Sequence, residues 1–373
     1  MILDFDNFQK INKNGVELNN IRTKNLNIFK EKGFPSKKEE NWKYTDLKTI
    51  LSNNLDKLEI PKDEKTYTYK NERLFKNFEH NQIILVNGNF IKSDFSFEDE
   101  KKINIKPLKL ILNDKEYFKK IKNYFIKQQN SLAALNNALT NDGIYLNIED
   151  DYSFKKPLII YNFFNKYSNK KIINNKNLIS LGNNSQLSFL EYYEGDEGIK
   201  CFYNTSHDFS IKKNAILKKF NININFDNSY NYHLTKVKSY SNSIFENFVF
   251  SCGPNVIKNE IHCDLMEPFS SCFINGVIFL NQQQQHELKT NINHKDESCK
   301  SSQLVKSALL DGSKGTYQGK IYVDSRAQKT NGYQLSKALI LSERSEFNSK
   351  PELEIYADDV KCSHGSTTGN IDE

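Results

Sequence analysis

From about Gln82 the chain turns to alternating apolar and polar residues, first in IILVNG and then in one run after another. That is the period of a strand with one face in a core. A small residue followed by such a run recurs at Ser185 (SQLSFLEYY), Ala215 (AILKKFNINI), Ser243 (SIFENFVF), Ser271 (SCFINGVIF), Ser298 and Ala327, at intervals of 30, 28, 28, 27 and 29 residues. A period of this size predicts stacked coils of a β-solenoid, each turn burying its apolar face only against its neighbours. Sandwich strands can mimic the spacing, so periodicity alone leaves that architecture open.

Two stretches follow the helical period instead. Residues up to about Lys65 are helical and polar, and the segment ending near Lys32 meets Gly33 and Pro35, where glycine caps and proline cannot continue the helix. Glu39 to Leu47 carries Trp42, Tyr44 and Leu47 in a charged run, anchors expected to dock on a neighbouring domain. In Lys115 to Leu139, Phe118, Ile121, Phe125, Leu132, Leu135 and Leu139 form one apolar stripe, read as a helix lying on a sheet, broken by Asn141, Asp142 and Gly143. The expected organisation is an N-terminal helical region over 1–75 and a strand core over 76–369 with a helix inserted near 115–139. Residues 370–373 begin a further segment.

Composition narrows the class. The 373 residues are 38% hydrophobic and 12% aromatic, enough for a large core, and no apolar run approaches the roughly 20 residues that span a bilayer. The first residues, MILDFDNFQK, lack the pattern of a cleavable signal. The net charge of +6 comes from lysines spread along the whole chain. Without a basic stripe and interleaved aromatics, it does not point to nucleic acid. Six scattered cysteines form no C-x-x-C pair and are expected as reduced thiols of a cytosolic protein, mostly buried.

The candidate chemistry lies in KPELEIYADDVKCSHGSTTG. Cys362 and His364 are two residues apart on an expected strand, so they share a face and can share a metal. They supply half a site, since a closed zinc centre takes four ligands and iron–sulfur clusters likewise want several thiolates or imidazoles. Core packing beside Val360 is the competing role for Cys362. His364 is expected at an edge or interface, because a dry core penalises an unsatisfied imidazole nitrogen. His286 and His294, in QHELKTNINH, are expected in structural hydrogen bonds, with a turn near Asn291 and Asn293. His262 and Cys263 face opposite ways. DGSKGT, Asp311 to Thr316, lacks the phosphate-loop spacing and a following helix, so no nucleotide site is assigned. There is no G-x-S-x-G elbow and no H-E-x-x-H. Asp358 and Asp359 are read as a turn or bulge.

The ordered series GFPSKKEENWKYTDLK, NSLAALNNALTNDGIYL, QHELKTNINH, SSQLVKSALLDGSKGTYQGKIYV, AQKTNGYQ and CSHGSTTG resembles the SufB/SufD family of iron–sulfur assembly scaffolds. The resemblance is to its SufD branch: the chain keeps ENWKYTD, has no cysteine in ALILSERSEF, and has His364, Gly365 and Ser366 where SufB-like chains read HEA. Ser366 replaces the alanine usual in the family's CSHGAT pattern. The resemblance implies a mainly β protein, a right-handed parallel β-helix with an N-terminal helical domain. Family members usually continue into a C-terminal helical segment. The chain stops at GNIDE, where Asp372 is read as a helix N-cap, so that segment is expected to be missing.

The implied function is a non-catalytic scaffold that pairs with SufB through β-helix edges. His364 and Cys362 would bind a nascent iron–sulfur cluster, and the SufC ATPase would be contacted through the missing segment. A homodimer is open when SufB is absent, and a flavin is unassigned. The expected compartment is the cytoplasm, with a plastid as the other option. The alternatives are a carbohydrate-active β-helix enzyme and a purely structural interaction module.

Overall fold

The computed structural model describes residues 3–5, 8, 15–61, 75, 77–126, 130–225 and 228–370. Strands dominate, and from Gly143 onward they build a parallel solenoid of about 7 turns. Each turn gives one strand to each of two sheets. In order, the coils pair Ile172–Leu181 with Gln186–Gly195, Phe202–Ile211 with Ile216–Asn225, Tyr230–Ser239 with Ile244–Ser251, and Val256–Leu265 with Ser271–Leu280. Gln285–His294 with Lys300–Leu309, Lys314–Val323 with Thr330–Ile340, and Glu346–Ile355 with Val360–Asn370 complete the seven. A shorter leading coil, Gly143–Ile148 and Leu158–Phe164, precedes them. At that end each sheet closes on an antiparallel strand, Ile103–Pro107 in the first and Asn89–Asp94 in the second.

The repeat originates at the corners. Residues Asn184, Asn214, Asn242, Phe269, Ser298 and Lys329 take positive φ, between 55° and 62°. Each is followed by a small or compact side chain with almost no exposure: Ser185, Ala215, Ser243, Ser270, Cys299 and Thr330. The hydroxyls of Ser185, Ser243, Ser270 and Thr330 donate to the carbonyl three residues back, at 2.6–2.8 Å, satisfying a group that the bend would leave unpaired. The column found at the corners therefore runs through Ser270, Cys299 and Thr330, where the sequence pointed to Ser271, Ser298 and Ala327. Adjacent small residues made either choice fit the spacing, and the left-handed corner decides between them.

Helix α1 (Val16–Lys32) ends where Gly33, at φ 72°, donates its N–H to Phe29 O. Helix α2 (Leu47–Asn54) is capped by Asp46, whose carboxylate accepts from Thr49 N–H at 3.0 Å. The connecting segment docks on the outer face of the first sheet, as its aromatic anchors require. Trp42 is buried against Tyr232 at 5.6 Å, with Lys258 Nζ 4.1 Å over its ring. Thr45 Oγ1 donates to Glu287 Oε2 at 2.6 Å, and Gln285 donates to Tyr44 O at 2.6 Å. Leu47 joins Leu51, Phe202, Tyr230 and Val256 in one apolar cluster.

Lys115 to Leu139 is not one helix. It divides into α4 (Lys115–Ile121), which follows α3 (Leu108–Asn113), then a 3-10 turn at Lys122–Phe125 and α5 (Ser131–Leu139). Asn130 caps α5 by accepting from Leu132 and Ala133 N–H. The stripe divides with it: Phe118, Ile121 and Phe125 pack with Leu18, Leu108 and Leu178, whereas Leu132, Leu135 and Leu139 join the Trp42 cluster. The expected boundary near residue 75 borders residues 62–74 and 76, outside the described residues. Asp372 also lies outside them. Asn370 ends the last strand.

Gly143 opens the solenoid at φ 147°, and a Cβ there would stand 2.0 Å from Lys176 O. Gly143→Ala is therefore expected to cost about 3 kcal/mol or more, through backbone displacement in the leading coil. Urea denaturation of the variant beside wild type checks this.

Candidate functional site

The last coil holds the residues singled out by the C-x-H spacing. Its strand Val360–Asn370 pairs with Thr330–Ile340 in continuous register, Cys362 on Gly332, His364 on Gln334, Ser366 on Ser336 and Thr368 on Ala338. Those four partners are buried inward positions, and parallel in-register strands share their faces. Cys362 and His364 therefore lie on the inner face of the terminal coil. Ser336 Oγ donates to Ser366 Oγ at 3.0 Å along the same face.

Their environments differ. Cys362 is half-buried, packing with Val360 and Leu353 against Ile321, Val323, Ala327 and Ala357. Burial pushes its thiol pKa up, and the Gly332 backbone opposes this. His364 is exposed. Among the described residues no three or more His, Cys, Asp or Glu side chains come together as a metal site, so no third such side chain stands beside Cys362 and His364.

The other histidines of QHELKTNINH are inside. Gln285–His294 is one unbroken strand, so the turn expected at Asn291 and Asn293 does not form. Both asparagines occupy outward positions of a continuous ladder, and their turn propensity is overridden by in-register pairing on both sides. His286 Nδ1 meets Ser251 Oγ at 2.8 Å and Nε2 donates to Pro254 O at 2.7 Å. His294 Nε2 meets Ser301 Oγ at 2.9 Å. His262 faces outward near Glu260 while Cys263 is fully buried, opposite faces as expected. Cys201, Cys272 and Cys299 are also buried. DGSKGT forms a corner at Asp311 and Gly312, both at positive φ, and a strand follows it. Asp358 and Asp359 occupy the bend between the last two strands.

A buried polar group inside the solenoid was not singled out from the sequence. His207 Nε2 lies 3.0 Å from Glu191 Oε1, and Lys219 Nζ donates to Glu191 Oε2 at 2.5 Å, all almost unexposed. Burial resists ionisation of Glu191, but the His207 and Lys219 charges outweigh it and hold the carboxyl well below its usual range. His233 stands edge-on to Tyr193 and Tyr203, its pKa lowered to about 3 by burial. The signal was available in the alternation, because Glu191, Lys219 and His207 all fall on inward positions of their strands.

Fold and site together define a class: a parallel solenoid braced by helices along one sheet, with a half-buried thiol and an exposed imidazole on its last coil. Family comparison agrees. The family model described as "SUF system FeS cluster assembly, SufBD core domain" matches residues 163–373, and "SufBD protein N-terminal region" matches residues 5–160. The chain belongs to the SufBD family of the SUF iron–sulfur cluster assembly system.

It is 23% identical over 355 residues to the iron–sulfur cluster assembly protein SufD of Escherichia coli, covering 91% of this chain and 78% of that protein. It is 24% identical over 204 residues to the SufBD family protein slr0076 of Synechocystis, covering 52% of this chain and 45% of that one. It is 28% identical over 190 residues to the chloroplastic protein ABCI7 of Arabidopsis thaliana, covering 50% and 40%. These comparisons do not support the carbohydrate-active reading. Among the described residues no helix is long and apolar enough to cross a membrane.

Burial lowers the pKa of both His286 and His294 from 6.5 to about 4. Between those values the unfolded chain binds protons that the folded chain does not. Their stability is therefore fully present above about pH 6.5 and is lost as pH falls toward 4. At pH 5 each histidine is expected to remove about 2 kcal/mol relative to pH 7. Denaturant midpoints at the two pH values check this, and His286→Gln, which keeps a donor and an acceptor, should flatten the pH dependence.

Proposed function

We propose that this chain is a SufD-type scaffold subunit, without catalysis of its own, that pairs with a SufB partner through the strand edges of its last coil. His364, and with it Cys362, stands at that interface as a ligand to a nascent iron–sulfur cluster. The cluster is cargo, assembled from iron and sulfide and then released. The observation that carries this reading is the placement of both residues on the inner face of a terminal strand that has one neighbour among the described residues. Such a strand presents backbone donors and acceptors for a partner strand. A partner coil laid on it would supply further ligands opposite the pair, and family membership supports an iron–sulfur cargo.

Mixed imidazole and thiolate ligation suits a cluster that must leave, since fewer thiolates make release easier. The raised thiol pKa of Cys362 makes His364 the stronger of the two candidates at neutral pH. In this reading a SufC-type ATPase supplies the energy for rearrangement, and the complex works in the cytoplasm.

His364→Ala is expected to lower cluster yield severalfold when the chain is co-expressed with SufB and SufC and reconstituted with iron and sulfide. Stability should stay within about 0.5 kcal/mol, because the side chain is exposed. Cys362→Ser is expected to have the smaller effect. Normal yield in the His364 variant would sink the ligand role, and failure to associate with SufB would favour a purely structural module.

A further inference from the structure

The outer face of the second sheet carries an apolar row that runs across the strands. Register aligns Leu190, Phe220, Phe248, Asn275, Leu304 and Leu335 in it. The chain covers one end itself, where Phe75 and Leu190 pack against one cluster and Phe75 stands edge-on to Tyr192 at 5.5 Å. From coil two onward the row is open: Phe220 is 40% exposed, and Phe248, Leu304 and Leu335 are partly exposed. A dent of about 480 Å³ lies on it, walled by Phe220, Phe248 and Phe273, with Asn275 at its side. Single apolar residues on a surface need no explanation, but a continuous row with an aromatic dent marks a contact surface.

The charges on this face fit one kind of occupant. On the strands of coils three to seven, the carboxylate at an outward position of this sheet is Glu246, and Lys218 on the neighbouring strand already pairs with it at 3.4 Å. Lys306 and Lys337 stand directly opposite each other on adjacent strands, beside Leu304 and Leu335. Both are exposed, and neither has an ion pair among the described residues. The nearest carboxylates in sequence lie past the strand ends: Glu297 before Lys300, Asp311 after Leu309 and Glu343 after Ile340. Like charges in register repel, and a carboxylate laid between the two ammonium groups would relieve that repulsion.

The open part of the row, from Phe220 to Leu335, crosses five strands. At the ordinary strand spacing that is roughly 19 Å, the length of about 13 residues of helix. A lipid surface has no use for the dent, whereas a helix can seat an apolar anchor in it while its flank reaches the lysines.

We propose that this face docks an acidic amphipathic helix of a partner protein. Its apolar side lies along the row from Phe220 to Leu335, one apolar side chain fills the dent, and its carboxylates meet Lys306 and Lys337. The surface is separate from the terminal coil and does not depend on the cluster reading given for Cys362 and His364.

Fluorescence anisotropy of a labelled helical peptide of about 14 residues, with leucines at i, i+3, i+4 and i+7 and glutamates on one flank, tests this on the full chain. The expected result is saturable binding with a Kd on the order of 10–100 μM, weakened about tenfold by the double variant Lys306→Glu, Lys337→Glu. A peptide with lysines in place of the glutamates should bind about tenfold more weakly as well. Phe248→Ser should weaken binding through the dent, and the exposed lysine variants keep the test valid if that change disturbs the fold. Lys238→Glu, exposed on the first sheet, should leave binding unchanged. Absence of saturable binding, equal affinity for the lysine peptide, unchanged affinity in the double lysine variant, or equal loss in Lys238→Glu would overturn the proposal. Flotation with vesicles of phosphatidylglycerol and phosphatidylcholine in equal parts, or a dimer in solution, would overturn it too if the double lysine variant abolished either one, since the face would then belong to lipid or to a second copy.

Discussion

In-register parallel stacking is the constraint on which the rest of this molecule depends. A coil buries its inner side chains only against the same row in the coils above and below, so each row is a column whose members must fit their neighbours. One column runs Leu187, Leu217, Phe245, Cys272, Ser301, Gly332, Cys362, and the next runs Phe189, Lys219, Asn247, Ile274, Gln303, Gln334, His364. Both begin with bulky apolar residues and end small or polar. The last member of a column has one neighbour among the described residues, so a large apolar side chain there would lose much of its burial. Cys362, His364, Ser366 and Thr368 are residue types that tolerate such a position.

The same constraint governs the interior. Gly276 leaves room for Leu288, whose Cδ2 would stand 2.9 Å from a Cβ, and Gly319 leaves room for Tyr317 and Gln334. Some polar residues enter the columns in mutual contact, as His207, Glu191 and Lys219 do. Outside, the Lys258–Glu287 pair at 2.6 Å is covered by Trp42 and Thr45. A buried pair of this kind adds little net stability, but removing one partner strands a charge, so it fixes where the helical segment docks.

Much of this was legible in the sequence because a solenoid repeats its instructions. The period followed from small residues at left-handed corners, and the shared face of Cys362 and His364 followed from the two-residue pleat. Legibility failed where two local codes agreed. Ser270 and Ser271 both satisfy the spacing, and the apolar stripe of 115–139 continues in phase across Asn130, so the cap that divides it is hidden. Asn291 and Asn293 are turn formers, yet pairing on both sides held them in a strand. The ion-paired core was obscured because Glu191, Lys219 and His207 break the rule that inward positions are apolar.

The histidines differ in how far stacking encloses them. His286 already has both ring nitrogens committed, one to Ser251 and one to Pro254, and His294 is tied to Ser301. A metal could reach either ring only by opening a closed column, and at His286 only by also breaking a buried hydrogen bond. His207 is held by Glu191 under the same closure. His364 lies on the same inward pattern but on the column's last member, where a donor atom can be reached without unstacking a coil. Stacking thus encloses the imidazoles of His207, His286 and His294 and leaves that of His364 exposed.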